Sequence, residues 1–313
     1  MVFGGALGKV ISVNRAIKFT FVLLIILVLC FIGYYAWDQQ RTQTISATEK
    51  EEQRIEQFLE NNPSDPDAWI ALGSNSLQQR KFDKAISAYE KVLNLNADKS
   101  ISYVAYVGLG TAYMEKGNAE LAIDNFNQAL ALSKEPDFTP TNSSLAMVHY
   151  YLGKIYLERG ELSSSDQELT ESLWFSPTNA DAIYLLGKVY ESEGNMTAAE
   201  ASYLRALSLV PNFAEVYSQL GNLYQSQGDE VKAAYNQAMA NLFSGKVAEA
   251  VEQLKTVVAS MTDNADAYWG LGWGYEKLNM RDEAIAAYRA AVAINPGHRL
   301  AAGALSRLGA GKS

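Results

Sequence analysis

The sequence predicts an all-α solenoid, a stack of about six helical hairpins of which one is irregular, preceded by an N-terminal transmembrane helix. The hairpins are indicated by a repeated pattern, because Leu220-Gly221 follows Leu186-Gly187 by 34 residues and the flanking residues agree as well. A unit of this length cannot bury its own apolar face, so neighbouring units must stack into one array. The transmembrane helix is indicated by the uncharged run at residues 19–37.

The composition is that of a folded, acidic protein. Of its 313 residues, 48% are hydrophobic and 19% are charged, and the net charge is −9. This net negative charge argues against a nucleic-acid-binding role, because phosphate binding needs a basic surface. The single cysteine, Cys30, lies inside the apolar run. It can form no disulfide within the chain and offers the folded part no thiol for catalysis or metal binding.

Residues 1–18 carry only positive charge, and residues 19–37 carry none. At the helical rise the uncharged run is about 28 Å long, close to the hydrocarbon thickness of a bilayer. A cleaved signal peptide is the alternative, but the run exceeds the usual roughly 7–15 residues and residues 34–36 are not an A-x-A site. Only Arg41 follows closely, so the positive-inside rule places residues 1–18 in the cytoplasm and the array on the periplasmic or outer face.

The remainder of the chain divides into a linker, the array and an end cap. Residues 38–63 are predicted to be a polar linker followed by an N-terminal capping helix with one apolar stripe. Residues 64–298 hold the repeats. Residues 299–313 are predicted to form a short capping helix and a tail, which closes the C-terminal end of the stack.

The repeated residues resemble those of the tetratricopeptide repeat, a pair of antiparallel helices with the pattern W-x2-L-G-x2-Y, then A-x3-F, then P. The matching positions include Trp69, Leu72-Gly73, Ala85, Tyr89; Tyr106, Leu109-Gly110, Tyr113, Ala122, Phe126, Ala129; His149, Leu152-Gly153, Tyr156, Pro177; Leu186-Gly187, Tyr190, Ala199, Tyr203, Ala206, Pro211; Tyr217, Leu220-Gly221, Tyr224; and Tyr268, Leu271-Gly272, Tyr275, Ala284, Tyr288, Ala291, Pro296.

Each recurring residue of the repeat has a structural role. Gly or Ala at the eighth position of a unit lets its two helices approach closely, and the aromatic residue at the twenty-fourth fills space between neighbours. A further set of glycines lies where each first helix must stop, in the left-handed conformation that Gly adopts most cheaply. These are Gly117, Gly160, Gly194, Gly228 and Gly245.

The spacing of the pattern is irregular in three places, of which the first is a three-residue insertion between Gly73 and Gly110. A Pro/Ser/Thr-rich insertion at 135–144 lengthens one unit and is most simply a surface loop. Gly228 and Gly245 are half a period apart. An irregular half-repeat is therefore predicted near residues 229–245, where one helix is extra or missing.

No set of residues indicates catalysis. His149 and His298 are the only histidines and lie far apart in the sequence, which excludes most histidine-based metal sites and triads. Gly-rich stretches such as 270–274 lie inside predicted helices and follow no strand, so they are not phosphate loops. The sequence therefore predicts no enzyme, no cofactor, no metal and no small-molecule substrate.

The family resemblance implies a binding groove lined by the first helix of each unit, where the fifth and ninth positions usually contact the ligand. Its aromatic members suit an extended or helical peptide with apolar anchors. The alternative is that the aromatic rings only pack on neighbouring helices. The predicted groove residues are Val107, Thr111, Tyr150, Lys154, Tyr184, Lys188, Ser218, Asn222, Trp269 and Trp273.

The sequence thus predicts a single-pass membrane protein whose array holds a protein or peptide partner. The resemblance implies work as a scaffold in assembling or stabilising a membrane or secreted complex. The alternative is a constitutive subunit of a large membrane complex, bound through residues 19–37 rather than through the groove. The sequence names no partner.

Overall fold

The computed structural model describes residues 27–38, 47–95 and 97–311, and every regular element among them is an α-helix. This confirms the all-α prediction for the described residues. The helices are α1 (27–38), α2 (47–61), α3 (Pro66–Gln78), α4 (Phe82–Asn94), α5 (Lys99–Glu115), α6 (Ala119–Leu132), α7 (Asn142–Glu158), α8 (Leu162–Phe175), α9 (Ala180–Ser192), α10 (Met196–Leu209), α11 (Ala214–Ser226), α12 (Glu230–Phe243), α13 (Val247–Ser260), α14 (Ala265–Lys277), α15 (Arg281–Ile294) and α16 (Arg299–Arg307).

Helix α1 contains the second part of the predicted membrane span. Its apolar side chains are exposed, as Phe31 and Trp37 illustrate. None of the helices among the described residues has both the length and the apolar character needed to cross a membrane. Residues 19–26 of the predicted span, and the predicted cytoplasmic segment 1–18, lie outside the described residues.

The chain divides into two compact units, of which the first ends at Leu132 and the second begins at Ser133. In the first unit, α3 pairs with α4 and α5 pairs with α6, and α4 packs on α5. Helix α2 adds Leu59 to a small core that also buries Leu72 and Ala88. It therefore covers the outer face of the first hairpin.

The second unit repeats the same hairpin. Helices α7 and α8, α9 and α10, α11 and α12, and α14 and α15 form the closest pairs, and each pair packs on the next. Helix α16 packs on α15 and buries Ala301, Ala304 and Leu305. Residues 135–141 of the insertion form the connection that leads into α7, and residues 142–144 form the first turn of that helix.

Side-chain caps start several of the first helices. The Asp65 carboxylate accepts a hydrogen bond from the backbone N–H of Ala68 (3.0 Å), and Asn179 accepts one from Ala182 (3.1 Å). Each cap satisfies a backbone donor that has no partner within its own helix. The boundaries of the repeats are thus set by local sequence.

Close approach of the two helices explains the glycine at the eighth position. A Cβ on Gly187 would lie 2.5 Å from the Tyr203 ring, and one on Gly272 would lie 2.6 Å from the Tyr288 ring. Both tyrosine rings are fully buried. Only a residue without a side chain leaves room for the ring that joins the helices.

The five glycines predicted at the ends of first helices all have positive φ, between 74° and 91°. The prediction is confirmed at every one of them. Two other units place a residue with a side chain at this point, Arg80 with φ 59° and Asn279 with φ 61°. These two residues adopt a left-handed conformation that costs free energy for any residue other than Gly.

One helix, α12, occupies the stretch where the repeat spacing is irregular. It packs against α11 as a second helix would, and also pairs with α13 as a first helix would. Its twenty-fourth-position residue is Gln237 rather than an aromatic residue, and a Cβ on Gly221 of α11 would lie 3.5 Å or more from its nearest neighbours, Gln237, Ala233 and Asn236. Helix α12 is therefore shared by two hairpins. Its sequence matches neither the first-helix pattern nor the second-helix pattern of the repeat completely.

Candidate partner-binding groove

The first predicted groove pair, Val107 and Thr111, lies on α5 in the first unit. Val107 is buried, with 9% of its surface exposed. Thr111 is half-buried, and its hydroxyl donates a hydrogen bond to the Val107 carbonyl (2.9 Å). This pair offers a partner little side-chain surface.

The next two predicted pairs come together in the second unit. Tyr150 and Lys154 lie on α7, Tyr184 and Lys188 lie on α9, and these two helices are in contact. Both tyrosine rings pack at the edge of one core cluster that includes Leu169. All four side chains are half-buried. We call these four residues the tyrosine–lysine patch.

Neighbouring rings hold the tyrosines of this patch in place. The centroid of the Tyr184 ring lies 5.3 Å from that of Phe213 and 6.0 Å from that of Tyr203, and Tyr150 lies 5.5 Å from Tyr151. The ammonium nitrogen of Lys188 is 6.0 Å from the Tyr184 ring centroid, which is within reach of a cation–π interaction. The patch therefore presents aromatic faces whose positions are set before any partner binds.

The hydroxyls of the patch stay protonated at neutral pH. Burial, together with the charges of Asp181 and Glu158, raises the pKa of Tyr150 to about 12. Burial also raises the pKa of Tyr184. Each phenol can donate a hydrogen bond to a partner, and the two lysines add positive charge to a surface that belongs to an acidic chain.

The predicted groove continues onto α11 with small polar residues. Ser218 is half-buried, and Asn222 is exposed. A hydrogen bond between Gln219 and Tyr184 links this helix to the patch. These positions extend the accessible surface next to the patch without adding an aromatic ring.

Trp269 and Trp273 on α14 form part of the core cluster of the second unit. Trp269 is 3% exposed and Trp273 is half-buried. Their ring centroids are 5.7 Å apart, and that of Phe243 is 6.0 Å from Trp269 and 5.7 Å from Trp273. The alternative that groove-position aromatics only pack on neighbouring helices therefore describes Trp269 better than partner contact does. Partner contact by either tryptophan stays a prediction from the sequence.

A cavity in the second unit beside α12 is one feature that the sequence pattern does not predict. The only signal for it was the half-period spacing of Gly228 and Gly245. Among residues 27–38, 47–95 and 97–311, no group of His, Cys, Asp or Glu side chains is arranged to hold a metal ion.

The repeat pattern is matched by models of two related families. A tetratricopeptide repeat model matches residues 52–100, 70–142 and 235–299, and a TPR repeat model matches residues 191–228. Together these matches cover more than half of the chain. The chain is a tetratricopeptide repeat protein. The third match includes most of α12 together with α13, in agreement with the pairing of these two helices.

Solved structures share the tetratricopeptide repeat fold. The C-terminal part of a TPR repeat-containing protein from Cytophaga hutchinsonii is 16% identical, with a TM-score of 0.52, and the match covers 82% of this chain and 94% of that one. BtubC (BKLC) from P. vanneervenii is 19% identical, with a TM-score of 0.53, and the match covers 64% and 90%. At these identities the likeness shows the fold alone.

One curated relative is similar over part of its length. The BBSome complex member BBS4 of Bos taurus is 30% identical over 112 residues, which make up 36% of this chain and 19% of that protein. The chain thus matches about a fifth of the length of this relative, so the likeness extends to a group of repeats.

Proposed function

We propose that this tetratricopeptide repeat protein is a membrane-tethered scaffold that binds a protein or peptide partner and aids the assembly or stabilisation of a membrane or secreted complex. In this proposal the protein is not an enzyme and uses no cofactor. The similarity to a BBSome complex member supports a role within a larger assembly, since that relative is named for one.

The tyrosine–lysine patch is the observation that carries the binding proposal. Half-buried tyrosines that are fixed by neighbouring rings lose little conformational freedom on binding, and Tyr is enriched among the residues that dominate interface energies. Lys154 and Lys188 add positive charge, but the carboxylates of Asp181 and Glu158 lie near Tyr150, so the patch carries both signs of charge. The patch therefore suits a partner segment with an apolar anchor.

The tether rests on the sequence of the N-terminal segment. The uncharged run at 19–37 has the length of a membrane span, and the basic residues before it favour a cytoplasmic N-terminus. In this arrangement the repeats lie outside the cytoplasm. A partner bound to the patch would be held near the membrane surface.

Photo-crosslinking in cells tests the binding proposal. Replacing Tyr184 with benzoylphenylalanine places a reactive ring at the patch, and the same residue at Trp174 is the matched control. Trp174 is 79% exposed and lies on α8, outside the patch. We expect capture of one defined protein from position 184 and not from position 174. Capture of the same proteins from both positions would contradict the groove.

A second candidate is a constitutive subunit of a membrane complex that is held through residues 19–37. The exposed apolar side chains of α1 favour it, since they need a lipid or protein environment. This candidate predicts that deletion of residues 1–37 releases the protein from its complex while substitutions in the patch have no effect. The deletion of residues 1–37 and the substitutions in the patch therefore distinguish the two candidates.

Cysteine labelling tests the proposed topology. In a Cys30→Ser background, one variant carries Ser260→Cys, at an exposed position of α13, and another carries Lys9→Cys. A membrane-impermeant maleimide applied to intact cells, or to cells whose outer membrane has been permeabilised, should label position 260 only. Labelling of position 9 alone would reverse the orientation.

A further inference from the structure

Two helices each lack the other half of a hairpin among the described residues. Helix α2 packs on α3 as a second helix packs on the hairpin that follows it, and its other side is exposed, as Glu51 and Phe58 show. Helix α16 packs on α15 as a first helix packs on the hairpin before it, and its other side is also exposed, as Ala302 and Ser306 show. One open surface therefore fits a second helix, and the other fits a first helix.

The exposed side of α16 and the adjoining side of α15 form a groove of about 630 Å³, which we call the α16 groove. Val292 in its wall has the repeat position of Leu59 on α2. Leu305 has the position of Leu72 on α3, and these two leucines pack on Ala88 of the second helix α4. Helix α4 thus fills, in the first hairpin, the place that is open beside α16. The groove is lined by residues of both helices, among them Arg289, Val292, Ala302, Leu305 and Ser306.

In a complete hairpin the two antiparallel helices meet at three pairs of positions, the fourth with the twenty-seventh, the eighth with the twenty-fourth and the eleventh with the twentieth. In each pair a large residue faces a small one, as a Cβ on Gly187 would lie only 2.5 Å from the Tyr203 ring. All members other than the glycine belong to one core cluster or pack on it. In the hairpin of α9 and α10 the pairs are Ile183 with Ala206, Gly187 with Tyr203, and Tyr190 with Ala199.

The open sides of α16 and α2 carry the reverse order of sizes at these positions. At the fourth and eleventh positions, where a first helix has a large residue, α16 has a small one, and α2 has a large residue opposite each. At the eighth position a serine replaces glycine, and the residue opposite is aliphatic rather than aromatic. Each pair therefore keeps a volume that two packed helices can accommodate. The three pairs are Ala302 with Phe58, Ser306 with Ile55, and Gly309 with Glu51.

The exposure of Phe58 indicates that its side of α2 lacks a covering helix. Phe58 is 49% exposed, whereas Val92, Ala206 and Ala291 at the same position of complete hairpins are fully buried. It is not among the residues that pack on the core of α2 and the first hairpin. Covering this ring would remove apolar surface from water.

The charges of the two surfaces favour their contact. Helix α2 carries five glutamates and two basic residues, whereas residues 299–311 carry two arginines and no acidic residue. Lys84 already binds Glu52 and Glu56, which leaves α2 with a small excess of negative charge. Arg289 and Arg299 form no ion pair with the residues that the structure describes. The summed charges therefore attract.

We propose that the α16 groove binds helix α2 of a second copy of this protein, so that α16 and α2 together complete a hairpin. Each copy would use a different surface, and such heterologous contacts build rings or open chains of copies. The assembly would present the tyrosine–lysine patch several times. This inference goes beyond the proposed function, since the contact does not involve the patch.

Cysteine crosslinking between two full-length copies tests the contact. Both copies carry Cys30→Ser and a different epitope tag, and one carries Phe58→Cys while the other carries Ala302→Cys. Oxidation of membranes that contain both copies should give a disulfide-linked dimer with both tags. The matched control has Trp174→Cys in place of Ala302→Cys, at a position that is 79% exposed and outside the groove. It should give about tenfold less dimer, because a disulfide needs its two cysteines close together.

An exchange of sizes tests the fit of the two helices. Ala302→Trp would overfill the contact with Phe58, so copurification of two tagged full-length copies in detergent should fall about tenfold. Combining it with Phe58→Ala restores the order of sizes found in complete hairpins, and copurification should return to within about threefold of the wild type. Both residues are exposed, so the helical content of the variants, measured by circular dichroism, should stay unchanged.

The occupant of the groove is identified by benzoylphenylalanine at Ala302. Capture of a second copy through residues 47–61 would support the inference. Capture of a different protein there would overturn the assignment to a second copy. Absence of the mixed disulfide, an equal yield from position 174, or a double variant that stays dissociated would overturn the inference as well. None of these results depends on capture from position 184, which tests the proposed function separately.

Discussion

The capping helix α2 depends on one buried carboxylate. Glu52 is 5% exposed and accepts hydrogen bonds from Gln79 (2.8 Å), Lys81 (2.6 Å) and Lys84. Burial alone would raise the pKa of Glu52, but the hydrogen bonds from these three side chains outweigh it and lower the pKa from 4.5 to about 2. The ionised carboxylate therefore stabilises the contact between α2 and the first hairpin.

The shift in the pKa of Glu52 sets an upper limit on how much its ionised carboxylate stabilises the fold. One pKa unit corresponds to about 1.4 kcal/mol, so a fall from 4.5 to about 2 gives an upper limit of about 3 kcal/mol. The side chains of Lys81 and Lys84 are 44% and 34% exposed, and solvent screens such pairs. We therefore expect Glu52→Gln to lower the free energy of unfolding of the first unit by about 1–2 kcal/mol at pH 7.

Chemical denaturation of the wild type and of Glu52→Gln measures this loss. The matched control is Glu51→Gln, because Glu51 is exposed and pairs with the exposed Arg54; it should change stability by less than about 0.5 kcal/mol. Because the folded-state pKa is lowered, the stabilisation is complete above pH 4.5 and is lost as the pH falls towards 2. Equal stability of the two variants at pH 7, or a difference that persists at pH 2, would refute the reasoning.

Three further predictions concern the patch and the repeat glycines. Tyr150→Ala combined with Tyr184→Ala should weaken partner binding by about 2 kcal/mol without unfolding the array; unchanged affinity with an unchanged melting curve would remove the patch from the binding surface. Gly187→Ala should destabilise the second unit by about 1–3 kcal/mol, because its Cβ would lie 2.5 Å from the Tyr203 ring; calorimetry measures this, and an unchanged melting temperature would contradict it. Asn279→Gly should stabilise by about 0.5–1 kcal/mol, since it relieves a φ of 61°; a lower melting temperature would show that the Asn279 side chain contributes more than its backbone strain costs.

Much of the fold could be predicted from the sequence, because its determinants are local. A helix depends on residues three or four positions apart, and a 34-residue period shows where each hairpin begins again. Gly187 and Gly194 illustrate this, since the first is required by a neighbouring ring and the second by a left-handed turn. The family and the helical hairpins follow from such positions alone.

The candidate site was only partly predictable, because burial depends on contacts between distant residues. Tyr184 and Trp269 occupy equivalent positions in their repeats, yet the first is half-buried and the second is 3% exposed. Trp269 lies against the rings of Phe243, Trp273 and His298, which belong to α12, to α14 itself and to the start of α16. A sequence pattern cannot say which of two equivalent rings a neighbouring helix will cover.

The sequence by itself determined that this protein is an array of tetratricopeptide repeats, and that the array is irregular near residue 230. Only the tertiary structure decided that α12 pairs with both neighbours and that Glu52 holds the capping helix. The physical reason is the range of the interactions involved. Repeat identity is encoded by a pattern that recurs every 34 residues, whereas the ring contacts of Phe243 and the charge network at Glu52 depend on how separate helices pack in space.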